Sequence, residues 1–182
     1  MSVLITVKVM PEKLIVDGYN LIYASKELGA LMREDIEAAR DKLIADLEAY
    51  CVREERTAEI VFDGAGSKGS ATHQELSPSL TVTFTGEGES ADSYIEKLAY
   101  KERGSRAGAA MLITGDYHQQ KVAAGAGLLR MSSREFLLEL EESRAGAAEE
   151  LQRRTARKWR VPLEGRLPGE IKAGLERLRK QK

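Results

Sequence analysis

The sequence predicts an α/β fold in which a mainly parallel sheet is covered by helices, and three observations carry that expectation. Apolar strand-like runs alternate with stretches of helical spacing along the chain, the order that builds parallel strands joined by helices. The first of these runs, at residues 13–17, is continuously apolar, as in a strand buried on both faces. Three of the runs lead into an aspartate, Asp17, Asp63 and Asp116, so carboxylates recur at the same end of successive strands.

In order, Lys13–Asp17 reads as a short buried strand closed by the turn signal Gly18. Arg33 to about Glu55 carries Ile36, Leu43, Ile44, Leu47 and Tyr50 at helical spacing and is the clearest helix. Ala58–Gly64 repeats the first pattern, a strand running into Asp63-Gly64. A Gly/Ser-rich stretch through Pro78 reads as loop, and Leu80–Gly86 alternates as a strand does. Ser90 is placed to cap a helix over Ala91–Arg103. "AAMLITGD" is the third strand leading into an aspartate, followed by a helix from Tyr117 that Gly125 ends. "GLLRMS" is a last strand, with Ser132 or Ser133 capping a helix from Arg134. The remainder is helical and basic, broken around Val161–Pro168. Upstream, Val3, Ile5, Val7 and Val9 alternate, giving an edge strand or a frayed end. The expected organisation is an extension at 1–12, a catalytic-type domain at 13–141 and a basic helical extension at 142–182.

The chain's 182 residues, 42% hydrophobic and 31% charged, suit one domain with a real core. No apolar run approaches the roughly 20 residues of a bilayer span, and the opening segment lacks a basic flank, so no membrane association is expected and a cytoplasmic location is. Cys51 stands alone, which excludes an internal disulfide framework and a cysteine-based zinc site. Net charge is −1, yet residues 142–182 hold 12 Lys/Arg against 6 Asp/Glu, leaving 16 against 23 for residues 1–141. An acidic body with a basic tail suits a polyanion at the tail and cations at the body, although solvated helix faces explain both equally well.

The aspartates carry the chemistry. Strand-end positions in a parallel sheet lie at the carboxyl edge, where α/β proteins bind ligands. Asp92 falls in the first turn of the helix after Ser90, with Glu96 one turn on along the same face. Singly, each Asp reads as a cap or turn former. Together they form a converging set, and converging carboxylates need a cation or a shared proton. Oxygen ligands without Cys or His suit Mg²⁺ or Mn²⁺, which take one or two carboxylates plus waters and phosphate oxygens. The implied reaction is metal-assisted hydrolysis of a phosphodiester. Asn20, Thr114 and Ser90 have two readings each, as hydrogen-bonding support for a ligand or as local caps.

Gly64-Ala65-Gly66-Ser67-Lys68-Gly69 matches G-x-G-x-x-G, but no helix pattern opens after it, so no nucleotide cofactor is expected. His73 and His118 have no spacing that brings them together as an acid/base pair. Lys68 in the loop, and Arg153, Arg154, Arg157, Lys158 and Arg160 around Trp159 in the tail, combine phosphate contact with a stacking side chain. Trp159 packed on the body is the alternative.

"LIVDGYNLIY", "VFDGAG", "GESADSYIEKLA", "LITGDYHQQKVAAGAGLLRMSSREFLLEL" and the basic tail resemble, in order and spacing, the YacP-like NYN-domain proteins of the PIN-like nuclease superfamily. The resemblance covers roughly Lys13 to Trp159. It implies a three-layer α/β/α sandwich, clustered acidic residues binding Mg²⁺ or Mn²⁺, and endoribonuclease activity linked to mRNA cleavage on the ribosome. Carried over by position, Asp17, Asp92 and Asp116 are the metal-binding catalytic core. Asp63 becomes an accessory metal carboxylate, and Asn20 and Glu96 supporting groups. RNA, rather than DNA, follows from the resemblance alone. A non-catalytic RNA- or ribosome-binding module is the first rival. A small-molecule phosphohydrolase is the second, disfavoured because Asp17 is followed by Gly-Tyr-Asn and not by a second acid.

Overall fold

A computed structural model describes residues 12–64, 69–103 and 109–159, and side chains up to residue 155. Among the described residues six strands form one sheet: β1 (Lys13–Asp17), β2 (Thr57–Phe62), β3 (Thr72–Ser77), β4 (Leu80–Phe84), β5 (Ala110–Ile113) and β6 (Leu129–Met131). Their order is β3-β4-β2-β1-β5-β6, with every neighbouring pair parallel except β3 and β4. β1 is central, which explains why Leu14, Ile15 and Val16 are all fully buried and why no polar residue interrupts them.

Helices α1 (Gly18–Ala24), α2 (Lys26–Glu34) and α3 (Ile36–Arg53) connect β1 to β2. α4 (Ala91–Lys101) crosses from β4 to β5, α5 (Tyr117–Ala126) joins β5 to β6, and α6 (Ser133–Trp159) follows. Alternation along β1 and β2 divides the core. Leu14, Val16, Ile60 and Phe62 pack with Leu43, Leu47, Tyr50 and Phe136 of α3 and α6. Ile15 and Val61 pack with Ile95, Leu98 and Ala123 of α4 and α5 on the other face. The result is the expected three-layer α/β/α sandwich. Arg56, buried before β2, donates to the Tyr50 hydroxyl at 2.7 Å and pairs with Glu139 of α6 at 3.4 Å, linking α6 to α3. Among the described residues, those up to Ser143 form one compact unit and those from Arg144 belong to a second. Among the described residues no helix is long and apolar enough to cross a membrane.

Several local expectations are corrected. Residues 18–34, assigned no element beyond the turn at Gly18, form two short helices; the side chains of Asp17 and Ser25 accept N–H bonds from Asn20 and Leu28 and so cap them. α3 begins at Ile36 and not Arg33, because Asp35 caps it by accepting from Glu37 and Ala38. α5 ends at Ala126, with Gly127 rather than Gly125 taking the left-handed cap conformation, φ 82°. The stretch read as loop before Pro78 contains β3, an antiparallel edge strand almost wholly exposed; an element that buries nothing leaves no hydrophobic pattern. Ser132 caps α6 in a reciprocal box: the Glu135 N–H donates to its Oγ at 3.2 Å and the Ser132 N–H donates to Glu135 Oε2 at 2.9 Å. The 1–10 segment and the Val161–Pro168 break lie outside the described residues.

Candidate active site

The strand order creates a switch point. From β1 the chain moves to β2 and β4 on one side, then returns through α4 to β5 on the other. The crevice beyond the carboxyl ends of β1 and β5 is the place where open α/β sheets bind ligands. Asp17 ends β1 there, and Thr114, Gly115 and Asp116 leave β5 there. Because Ile15 belongs to the α4–α5 face, alternation turns Asp17 toward the same two helices.

Asp17 is 8% exposed. One oxygen accepts the Asn20 N–H at 3.1 Å; the other receives Thr114 Oγ1 at 3.5 Å and Gln119 Nε2 at 3.4 Å. The same Gln119 amide donates to Asp92 Oδ1. Burial, the largest effect, and then the nearby Asp92 charge raise the Asp17 carboxyl above the usual range, while the three donors pull it back in part. Asp92 is exposed in the first turn of α4, whose cap is Ser90, accepting the Ser93 N–H at 3.2 Å. Two carboxylates from distant elements thus meet on one amide.

The other candidates occupy defined positions. Asp116 caps α5, accepting the His118 and Gln119 N–H groups at 2.7 and 3.0 Å, and its own N–H donates to Thr114 Oγ1 at 3.1 Å. Asp63, half-buried, follows β2; Asp17 pairs in register with Val61, so Asp63 lies two residues beyond, on the same face by alternation. Among the described residues, no three His, Cys, Asp or Glu side chains are grouped closely enough to hold a metal ion together. The close pair is Asp17 and Asp92. Glu96 lies 3.6 Å from His118, joining α4 to α5, whereas His73 bonds Thr83 at 3.0 Å, so the two histidines have separate partners.

Asn20 is a tie: its Oδ1 accepts the Gly115 N–H and the Ser133 hydroxyl, each at 2.7 Å. A Cβ on Gly115 would stand 2.7 Å from that oxygen, so only glycine allows the approach. Asn20→Ala removes the common acceptor of two donors, one on a buried Ser133, and is expected to destabilise the protein by about 1–3 kcal/mol. A chemical denaturation curve measures it, and an unchanged midpoint would refute the tie.

Gln119 was not singled out by sequence. Three residues after the capping Asp116 it reads as an ordinary capping-box member; instead its side chain is buried against Asp17 and Asp92. Tyr117, 67% exposed beside Asp116 with Lys121 Nζ 4.5 Å from its ring centre, was also missed. In the tail, Arg153 and Arg154 are exposed and paired with Glu149 and Glu150, so their charge is partly balanced on the helix. Lys68 and Arg160 lie outside the described residues, as do the side chains of Arg157 and Lys158. Two cavities of about 560 and 620 Å³ are lined, respectively, by Glu54 with β6 and α6 residues and by residues of α1, α2 and the Ser25 between them; neither is lined by any of the four aspartates.

Comparison with known proteins places the chain in a family. The YacP-like NYN domain family matches residues 14–180. YacP of Bacillus subtilis strain 168 is 39% identical over 128 residues, 70% of this chain and 74% of that protein. The crystal structure of Rae1 (YacP) from Bacillus subtilis superposes with a TM-score of 0.67 at 32% identity, covering 92% of this chain and 94% of that one. A mutant of the same protein gives 0.66 at 33% identity, covering 79% and 82%. With two carboxylates at the switch point and that likeness along nearly its whole length, the chain belongs to the YacP-like NYN family, a family of PIN-like nucleases.

Proposed function

We propose that this chain is an endoribonuclease that uses Mg²⁺ or Mn²⁺ held by Asp17 and Asp92 at the carboxyl edge of the sheet. The observation that carries the reading is the pair itself: two carboxylates on one amide, the buried one with its pKa raised. Such a pair fits one hard cation, which takes one or two carboxylates and completes its sphere with water and phosphate oxygens. When bound, the cation supplies an activated water and neutralises charge on the phosphodiester.

The chain's own residues do the positioning. Thr114 and the Asn20 N–H hold Asp17 from two sides, and Asn20 Oδ1 fixes the turn that carries Asp116. Asp116 and Asp63 serve the same edge through water, orienting the attacking group. An open edge suits a polymer better than a small phosphomonoester, and Tyr117 offers an exposed ring for a splayed base. Arg153, Arg154, Arg157, Lys158, Arg160 and Lys68 supply phosphate contacts. Messenger RNA, with the ribosome as partner, is the substrate setting the family likeness favours.

The test is incubation of the purified protein with single-stranded RNA in Mn²⁺, in Mg²⁺ and in EDTA. Internal cleavage with either metal and none in EDTA is expected. RNA bound but uncut under all three conditions points to a binding module, and turnover of a generic phosphomonoester without RNA cleavage points to a phosphohydrolase.

A further inference from the structure

We propose that Gln119 is a ligand of the cation site, holding the Asp17–Asp92 pair together through its Nε2 and turning its Oε1 to the cation when one binds. The inference rests on the metal-dependent reading above. Gln119 is 2% exposed, at the third position of α5. Its Nε2 donates to Asp17 Oδ2 at 3.4 Å and to Asp92 Oδ1, so both amide hydrogens face carboxylates. Its Oε1 is buried and has no hydrogen-bond partner among the described residues.

An unpartnered buried amide oxygen loses its hydration without compensation, and such groups in native structures call for an explanation. Here the nitrogen end does what the two carboxylates require, since a neutral donor between two like charges relieves their repulsion. A cation in the same place reverses the preference, repelling the N–H and attracting the oxygen. Oxygen and nitrogen of an amide occupy nearly the same space, so a half-turn about the last side-chain bond exchanges them without new room. The helix need not move, because the Gln119 N–H is fixed to Asp116 Oδ1 at 3.0 Å. The carbonyl then presented is of the class that hard cations favour. It adds no negative charge to carboxylates that already repel each other.

Mn²⁺ binding to the full chain, measured by calorimetry or by loss of the free-ion EPR signal, tests this alongside melting temperatures with and without Mn²⁺. Gln119→Leu is expected to melt lower without metal and to bind Mn²⁺ about 10- to 100-fold more weakly. Gln119→Glu, which keeps an oxygen there but loses the amide donor, should also melt lower without metal. It should nevertheless bind Mn²⁺ at least as tightly as the parent and show a larger Mn²⁺-induced rise in melting temperature. A folded Leu variant with parental affinity would overturn the assignment and leave Gln119 as a spacer. If the Leu variant does not fold, the Glu variant decides alone, and weaker binding than the parent refutes an oxygen ligand. Parental protein that binds no Mn²⁺ would overturn the metal-dependent reading itself, and the ligand assignment with it.

Discussion

Asp17→Asn is expected to lower metal-dependent RNA cleavage by on the order of 100-fold or more while leaving the protein as stable as before or more so. The two halves have separate causes. Activity falls because the substitution removes the buried charge of the Asp17–Asp92 pair. The fold survives because an Asn oxygen can accept the Asn20 N–H that Asp17 now accepts at 3.1 Å, keeping the cap of α1. Stability can even rise, since burial first and the Asp92 charge second oppose ionisation of Asp17. The sign follows from linkage. A carboxyl whose folded pKa is raised binds its proton more tightly in the folded chain. Its contribution to stability is therefore full at acid pH and is lost as pH rises through that raised pKa. The stability advantage of the Asn variant over the parent should widen from acid toward neutral pH and then level off. Denaturant unfolding at a series of pH values without metal measures the gap, and added Mn²⁺ should narrow it by stabilising the parent. Equal cleavage by both proteins would move the active site away from Asp17.

Gly18→Ala is expected to destabilise the fold by about 1–3 kcal/mol, against the usual preference for Ala over Gly in a helix. A Cβ at position 18 would lie 2.4 Å from the Phe62 ring. That ring is fully buried, with Tyr19 against it edge-on at 5.3 Å, Phe84 stacked at 5.5 Å and the Arg40 guanidinium 5.9 Å from its centre. Arg40 is itself held, donating from Nε to the Tyr19 hydroxyl at 2.8 Å, so the ring has nowhere to retreat. Phe62→Leu reshapes the obstacle, and combining it with Gly18→Ala should give a loss smaller than the sum of the single changes. Strict additivity in urea unfolding would show that the two positions do not meet.

These two positions also show where the sequence is informative. Asp17 stands out because three aliphatic residues precede it and a buried carboxylate demands a reason. The glycine after it reads as a turn former, yet its constraint is a ring 44 positions away, which no local pattern announces. β3 was unreadable because an exposed edge buries nothing, and the first two helices because each is short and has a narrow buried face. Gln119 was unreadable for the opposite reason: a common polar residue in a common capping position acquires its meaning from two carboxylates on other elements.

The sequence by itself determined the buried strands, the Ser90 cap and the recurrence of aspartate at strand ends. Each of these is a local consequence of periodicity, capping chemistry or the cost of burying charge. Only the tertiary structure decided which aspartates meet. That depends on β1 lying between β2 and β5 and on α4 and α5 sharing one face of the sheet. This packing brings Asp17 and Gln119 together across 102 residues and turns Asp92 onto the same amide. It engages Asp116 in capping α5, because a side chain at a helix N-terminus bonds its free N–H groups before it can reach a neighbour.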